Sequence, residues 1–271
     1  MTTMSQLRGA TWRVGRKLYC WARRDTENRP ETNGEYWLLE QVVRNMPNGA
    51  VLLDVGANKG EWSAHACKLF GLRQLTASLH AFEPCSGTRA GLVSRLAEQS
   101  VVIHATAVSA QPGSATLFSN GDGSGTNSLS GVSGPGQETV EVTTLDLFAN
   151  AHSIDKIAFA KVDVEGFDYF VLVGASRLLA RGAIEVIQFE YNWRWLINRA
   201  SLRQVFELID SWPYRFGKLV PGGIQFFDAW HFELDRFFEG NYVLVRRGSK
   251  VEQLGQACRF DLSNVLVTGK V

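Results

Sequence analysis

Apolar and polar positions follow two rhythms along this chain. Short, nearly continuous apolar runs occupy Val51 to Leu53, Leu79 to Pro84, Ile157 to Asp163 and Ile184 to Glu190, each ending at or next to an acid. Runs of this length are those of strands buried on both faces of a sheet. Between them, Glu35 to Met46, Glu61 to Phe70, Thr88 to Gln99, Phe167 to Leu179 and Ser201 to Trp212 repeat apolar residues near helical spacing. Pro47-Asn48-Gly49 stops the first of these helices, and Gly71 is expected to close the second. Val101 to Val108 reads as one further strand, Ala110 to Phe118 as a hairpin or extra strand around Pro112-Gly113, and Val140 to Leu147 as another strand. Tyr214 to Val220, Ile224 to Phe227 and Tyr242 to Val245 read as terminal antiparallel strands. Five alternating strand and helix units predict a doubly wound α/β sheet with a late hairpin.

Three stretches depart from this pattern. Residues 1–34 form a basic helix followed by a polar, turn-rich loop: Arg8, Arg13, Arg16, Lys17, Arg23 and Arg24 are interleaved with Leu7, Trp12, Val14, Leu18, Tyr19 and Trp21, with no acid before Asp25. Such a helix either touches anionic lipid or a partner, or is an ordinary solvated helix that packs its aromatics on the domain. Residues 121–136 are too rich in Gly and Ser to pack, and read as a linker or a lid that orders over bound substrate, with Asn127-Ser128-Leu129 as its anchor. Residues 248–271 follow the last expected strand as a C-terminal tail, which leaves 35–247 as the main domain.

Composition narrows the partners. With 28 basic and 27 acidic residues, no global field points to nucleic acid. Cys20, Cys67, Cys85 and Cys258 lie far apart with no CxxC pair, which argues against zinc and suits a reducing, cytoplasmic setting. No apolar run is long enough to span a bilayer, and the first residues lack a signal peptide's apolar core.

The chemistry is concentrated in Ala50 to Ser63, AVLLDVGANKGEWS, where a buried strand delivers a glycine-spaced turn to a helix N-terminus. Glu83 follows Gly60 by 23 residues, close to the separation at which a carboxylate on the second strand reaches a ribose diol. A dinucleotide site needs a middle glycine, but Ala57-Asn58-Lys59 stand between Gly56 and Gly60. The strand ends in Asp54, an acid that would repel a pyrophosphate yet can hold an ammonium. S-adenosylmethionine has an ammonium, a sulfonium and a ribose but no phosphate, so the loop favours it over NAD. The absence of a YxxxK pair also disfavours the rival reading as an NAD-dependent dehydrogenase or epimerase. A non-catalytic scaffold on the same fold would be expected to have lost the edge acids, all of which are present.

DVGANKGEWS, AFEP, the run from Lys161 to Ala175 and IQFEYN together resemble, in order and spacing over 33–242, the FkbM family of S-adenosylmethionine-dependent methyltransferases. The resemblance implies a class I methyltransferase, Rossmann-like sheet of seven mostly parallel strands, the last antiparallel, with helices on both faces. It also implies methyl transfer to a hydroxyl of a sugar, glycolipid, polyketide or related small molecule. By position, Asp54, Gly56, Asn58 and Gly60 fall on the cofactor loop and Glu83 on the ribose acid. Glu35 falls at the methionine end, and Thr106 and Ala107 at the adenine edge. His104-Ala105-Thr106 stands where the family often has an asparagine, and Cys85 follows FEP in place of a commoner turn.

Oxygen methylation requires alignment and removal of a proton from a weakly acidic hydroxyl. Asp163 and Glu190, at two strand ends, are the candidate bases, with Asp163 preferred by analogy with the fold. Glu165 is expected to cap the following helix and Asp168 to sit in its first turn. Glu190, Tyr191 and Asn192 are candidates for binding substrate hydroxyls, and His231 is an alternative base. Tyr191, Trp193, Trp195, Phe226, Phe227 and Trp230 either wall a substrate or belong to the core. Two carboxylates are too few to indicate a metal, so none is assigned.

Overall fold

The computed structural model describes residues 4–131 and 134–269. In chain order its first elements are α1 (Met4–Ala22), α2 (Glu35–Asn45), β1 (Ala50–Val55), α3 (Glu61–Arg73), β2 (Ala77–Phe82), α4 (Ser86–Arg95) and β3 (Val101–His104). An excursion follows through β4 (Ala107–Val108), β5 (Gly113–Ser119) and β6 (Gly136–Thr143). The chain then returns through α5 (Leu145–Ala151), β7 (Ile157–Val162), α6 (Asp168–Val173), α7 (Ser176–Ala180), β8 (Ile184–Tyr191), α8 (Arg194–Ile197) and α9 (Leu202–Ile209). Five more strands complete it: β9 (Tyr214–Val220), β10 (Gly223–Phe227), β11 (Gly240–Arg246), β12 (Gly255–Phe260) and β13 (Leu266–Thr268).

The main sheet runs β13-β12-β10-β9-β11-β8-β7-β1-β2-β3. Within it, β3, β2, β1, β7 and β8 are mutually parallel, and β11 runs antiparallel to both β8 and β9. The expected seven-stranded arrangement is therefore present, extended to ten strands by β10, β12 and β13. Over 248–269 the expected tail is part of the sheet: β12 pairs parallel with β10 through Ile224 to Phe226, and β13 closes the edge.

Side chains alternate across the sheet as period-two strands require. Leu53, Val55 and Val162 face α5, α6, α7 and α9, whereas Leu52, Phe159 and Val186 face α2 and α3. Burying each such side chain contributes about 1.5–3 kcal/mol, which fixes register, since a slip of one residue would invert both faces.

Two departures from the sequence expectation shape the site. The single strand expected over 101–108 breaks at Ala105-Thr106, because β3 stays in the main sheet while β4 pairs with β6 in a separate three-stranded sheet ordered β4-β6-β5. The strand expected over 140–147 stops at Thr143, where the Thr144 hydroxyl accepts from Leu147 N and caps α5. The helix expected over 167–179 is likewise split. Gly174 passes so close to Ser109 that a Cβ there would lie 2.1 Å from its carbonyl oxygen.

Candidate active site

The loop leaving β1 is held by its neighbours. Gly56 and Ala57 donate to the Phe82 carbonyl at 3.0 and 2.9 Å. Gly56 adopts φ +81°, and a Cβ there would meet the Asp163 carbonyl oxygen at 1.9 Å, so the close approach of β1 and β7 requires glycine. Asn58, at φ 46°, donates its backbone N–H to Glu83 Oε2 at 2.9 Å, while Cys85 N donates to Glu83 Oε1 at 2.9 Å. Glu83 thus ties the turn after β1 to the turn after β2. Burial pushes its carboxyl up to about 7, against the two backbone donors.

Not every predicted loop residue reaches open space. Asp54 is fully buried beneath the loop, with one oxygen accepting from the Ser63 hydroxyl at 2.6 Å and the other without a partner. Gly60 packs on Leu92 and Leu96 of the α4 region. Both sit behind the cavity, where they shape the loop.

The cavity itself, of about 340 Å³, opens at the carboxyl ends of β1, β2, β7 and β8, at the point where the strand order reverses. Phe82, Thr106, Ala107, Val108, Leu117 and Leu129 line one end; Asn28, Asp163, Glu165 and Glu190 line the other. The break between β3 and β4 is what carries Thr106 and Ala107 into the wall. Glu35, Tyr36 and Lys161 line an adjoining recess of about 280 Å³ that shares Gly56, Asn58 and Asp163 with the first. Glu35, Gly56, Asn58, Glu83, Thr106, Ala107, Asp163 and Glu190 therefore line two adjoining spaces that share Gly56, Asn58 and Asp163.

Its charged end is balanced. Lys161 Nζ lies 2.9 Å from Asp163 Oδ2, with its side chain 9% exposed. Burial opposes its charge, but Asp163, Glu35 and Asp54 outweigh that effect and hold the ammonium firmly protonated. Glu35, raised by its own burial, accepts from Gln188 Nε2 at 2.7 Å. Glu190 accepts from Asn28 Nδ2 at 2.9 Å and Asn192 Nδ2 at 2.6 Å. Burial and the charges of Asp163 and Glu165 raise it well above the usual carboxylate range.

Glu165, expected to be a helix cap, faces the cavity instead. It adopts φ 56°, pairs with Arg194 at 2.8 Å, and burial lifts it to about 8. Asp168 takes over the turn, accepting from Val164 N and Gly166 N at 3.4 and 3.1 Å. Asp163, Glu165 and Glu190 thereby bring one oxygen each within 4.8 Å of one another, three carboxylates where the sequence offered two. Each already has a protein partner.

Other expectations do not reach the site. His231 stacks on Phe260 and accepts from Glu233 N, away from the cavity. Tyr191, Trp195, Phe226 and Phe227 are core residues, and Tyr191 donates to Asp235. Trp193 is half exposed on the surface. Sequence reading passed over Lys161 and Gln188, polar residues inside apolar strand runs, and Asn28, whose loop gave no sign of reaching β8.

Within 121–136, residues 132 and 133 lie outside the described residues. Its 123–129 part lies along the cavity: Gly123 N donates to Thr88 Oγ1 at 2.8 Å, and Ser128 Oγ donates to the Glu165 carbonyl at 2.8 Å. Ser124, Asn127, Ser128 and Leu129 all line the cavity.

A family model described as the methyltransferase FkbM domain matches residues 54–216, more than half of the chain. No curated protein sequence matches at a significant level. Among solved structures, methyltransferase FkbM from Methylobacillus flagellatus KT aligns at 16% identity and TM-score 0.46, covering 72% of this chain and 43% of that one. Precorrin-6y C5,15-methyltransferase from Geobacter metallireducens GS-15 aligns at 11% identity and TM-score 0.40, over 79% and 88%. M. capricolum TrmK, solved with S-adenosyl-homocysteine, aligns at 9% and 0.39, over 77% and 67%. This chain thus spans less than half the length of the M. flagellatus protein, and the family match carries the assignment.

Proposed function

Because this chain belongs to the FkbM methyltransferase family, whose methyl donor is S-adenosylmethionine, we propose that it methylates a hydroxyl oxygen of a small molecule such as a sugar, glycolipid or polyketide, with Asp163 as the general base. The residues present fit the donor. Asn58 Oδ1 is buried without a partner at the junction of cavity and recess. Glu83 has the chemistry to accept from both hydroxyls of a ribose, Glu35 to hold an ammonium, and the Phe82 to Leu129 end to enclose an adenine. When bound, the donor supplies an electrophilic methyl that leaves its sulfur as a new carbon–oxygen bond forms.

The observation that carries the assignment of the base is the position of Asp163, among the described residues the only strand-end acid that lines both the cavity and the recess. It is a third exposed on its side chain, so it can reach an incoming hydroxyl, while Lys161 fixes one of its oxygens. The hydroxyl proton passes to the Asp163 carboxylate as the oxygen attacks. Glu190 is poised differently: buried and held above the usual range, it suits orienting the acceptor with Asn28 and Asn192 rather than taking its proton.

Calorimetry with S-adenosylhomocysteine and NAD, followed by turnover on a panel of hydroxylated sugars and polyketides, tests this reading. Asp163→Asn should bind S-adenosylhomocysteine as the parent does while turnover falls by about 10²–10⁴. Near-parental turnover would move the base elsewhere, and binding of NAD without S-adenosylhomocysteine would overturn the cofactor site.

A further inference from the structure

α1 stands apart from the core: none of its 19 residues is buried. Its contacts with the body come from one side and from its C-terminal end. Tyr19 donates to Glu233 at 2.7 Å, and Arg16 lies 4.8 Å over the Phe238 ring. Just past the helix, Arg23 pairs with Asp25 at 3.2 Å and with Glu233 at 3.3 Å.

At roughly 100° per residue, Met4, Leu7, Ala10, Val14, Leu18, Trp21 and Ala22 fall within about a third of the circumference, interrupted only by Thr11. That arc lies opposite Arg16 and Tyr19 and so points away from the protein. Its side chains are bare: Leu7 is 58% exposed, Leu18 62% and Trp21 79%. The packing of this helix's aromatics onto the domain, one of the two sequence readings, holds for Tyr19 and not for Trp12 or Trp21.

Charge identifies what would cover the arc. Lys17 borders it on one side and Arg8 on the other. Residues 1–24 hold six of the 28 basic residues and none of the 27 acids, so the remaining 247 residues, with 22 basic and 27 acidic, carry a formal charge of −5. A second copy of the chain would bring six cations against six. An apolar stripe edged by basic side chains on a helix lying parallel to a surface matches the boundary between acyl chains and anionic headgroups.

We propose that α1 docks this protein in the plane of a bilayer containing anionic phospholipid, with Leu7, Val14, Leu18 and Trp21 entering the acyl boundary and Arg8, Arg13 and Lys17 at the headgroups. Among the described residues no helix is long and apolar enough to cross the membrane, so the attachment is peripheral. Only residues 23–27 separate the docked helix from Asn28 in the cavity wall. The inference stands whatever the methyl acceptor proves to be.

Co-sedimentation of the full chain with phosphatidylcholine vesicles, and with vesicles containing phosphatidylglycerol, is the test. The protein should sediment with the second and not the first, and added salt should weaken the association. Leu7→Glu with Leu18→Glu, and separately Arg13→Glu with Lys17→Glu, should each reduce the vesicle-bound fraction by about tenfold or more. Binding of S-adenosylhomocysteine and the far-ultraviolet dichroism should stay unchanged, which separates lost docking from lost folding. Failure of the parent to sediment with anionic vesicles would overturn the proposal, as would retention by both variants. A concentration-dependent dimer without lipid, abolished by Leu7→Glu with Leu18→Glu, would also overturn it by assigning the stripe to self-association.

Discussion

Replacing Lys161 by Met is the sharpest perturbation of the charged end of the cavity. Met keeps most of the side-chain volume and removes the ammonium that faces Asp163 at 2.9 Å and, at longer range, Glu35 and Asp54. Asp54 is fully buried and Glu35 nearly so, and burial already raises both. Breaking a buried ionic cluster by removing one sign of charge costs about 3–5 kcal/mol. Asp163 is a third exposed and partly screened, so the lower part of that range applies to its share. At roughly 2–4 °C per kcal/mol for a chain of this size, the melting temperature at pH 8 should fall by about 6–20 °C.

The pH dependence supplies the control. Without the ammonium, Glu35 and Asp54 hold protons more tightly folded than unfolded, so their folded pKa values lie above the unfolded ones. The stability linked to them is complete below the unfolded carboxylate range and is lost as pH rises through the raised values. Scanning calorimetry of Lys161→Met and parent at pH 8 and pH 5 should therefore show a gap that narrows at pH 5. A gap under about 2 °C at pH 8, or one that widens on acidification, would refute the view of Lys161 as the counter-charge of three carboxylates.

The remaining expectations concern single groups. Because Glu83 titrates at about 7, S-adenosylhomocysteine affinity by calorimetry should weaken from pH 8 to pH 6; Glu83→Ala should weaken it by about 1–3 kcal/mol and flatten the profile, and a flat parental profile would remove Glu83 from the ribose. Glu190→Ala, which strips the acceptor from Asn28 and Asn192, should destabilise by about 1–3 kcal/mol in urea titration, and Glu190→Gln by about half as much; equal losses would argue against the hydrogen-bonding account. Burial and the neighbouring His80 hold His104 down to about 4 from 6.5, so its stabilisation is complete above pH 6.5 and is lost as pH falls toward 4. His104→Phe should make denaturation midpoints less steep over that window, and an unchanged slope would place the acid sensitivity in other groups.

What the sequence disclosed follows from how the sheet is buried. β1, β7 and β8 lie at its centre with both faces covered, so their apolar runs were unmistakable, and the acids at their ends stood out against them. The excursion from β4 to β6 was harder to read, since a two-residue strand and a change of sheet leave little periodicity. α5 was masked by the alternation of Val140 to Thr143 running straight into it, although Thr144, with Asp146 two residues later, was an available start signal. Lys161 was hidden because a single polar residue barely interrupts a buried strand. Asn28 with Glu190, and Glu165 with Arg194, meet across 162 and 29 residues, a juxtaposition only the folded chain makes visible. Tyr191 and Trp195 proved to be core because they are fully buried against each other in the cluster that also holds Phe189 and Tyr242.

The contact between Ser128 and Glu165 has a thermodynamic consequence. The hydroxyl holds the main-chain carbonyl of a residue in the left-handed region, whose carboxylate stands in the acid cluster, while neighbouring Leu129 covers the apolar end of the same cavity. A ligand that settles the loop over the apolar end also settles the turn that presents Glu165 to the acidic end. Under the proposed function, linkage would work in both directions: any factor by which the donor tightened the acceptor would be the factor by which the acceptor tightened the donor.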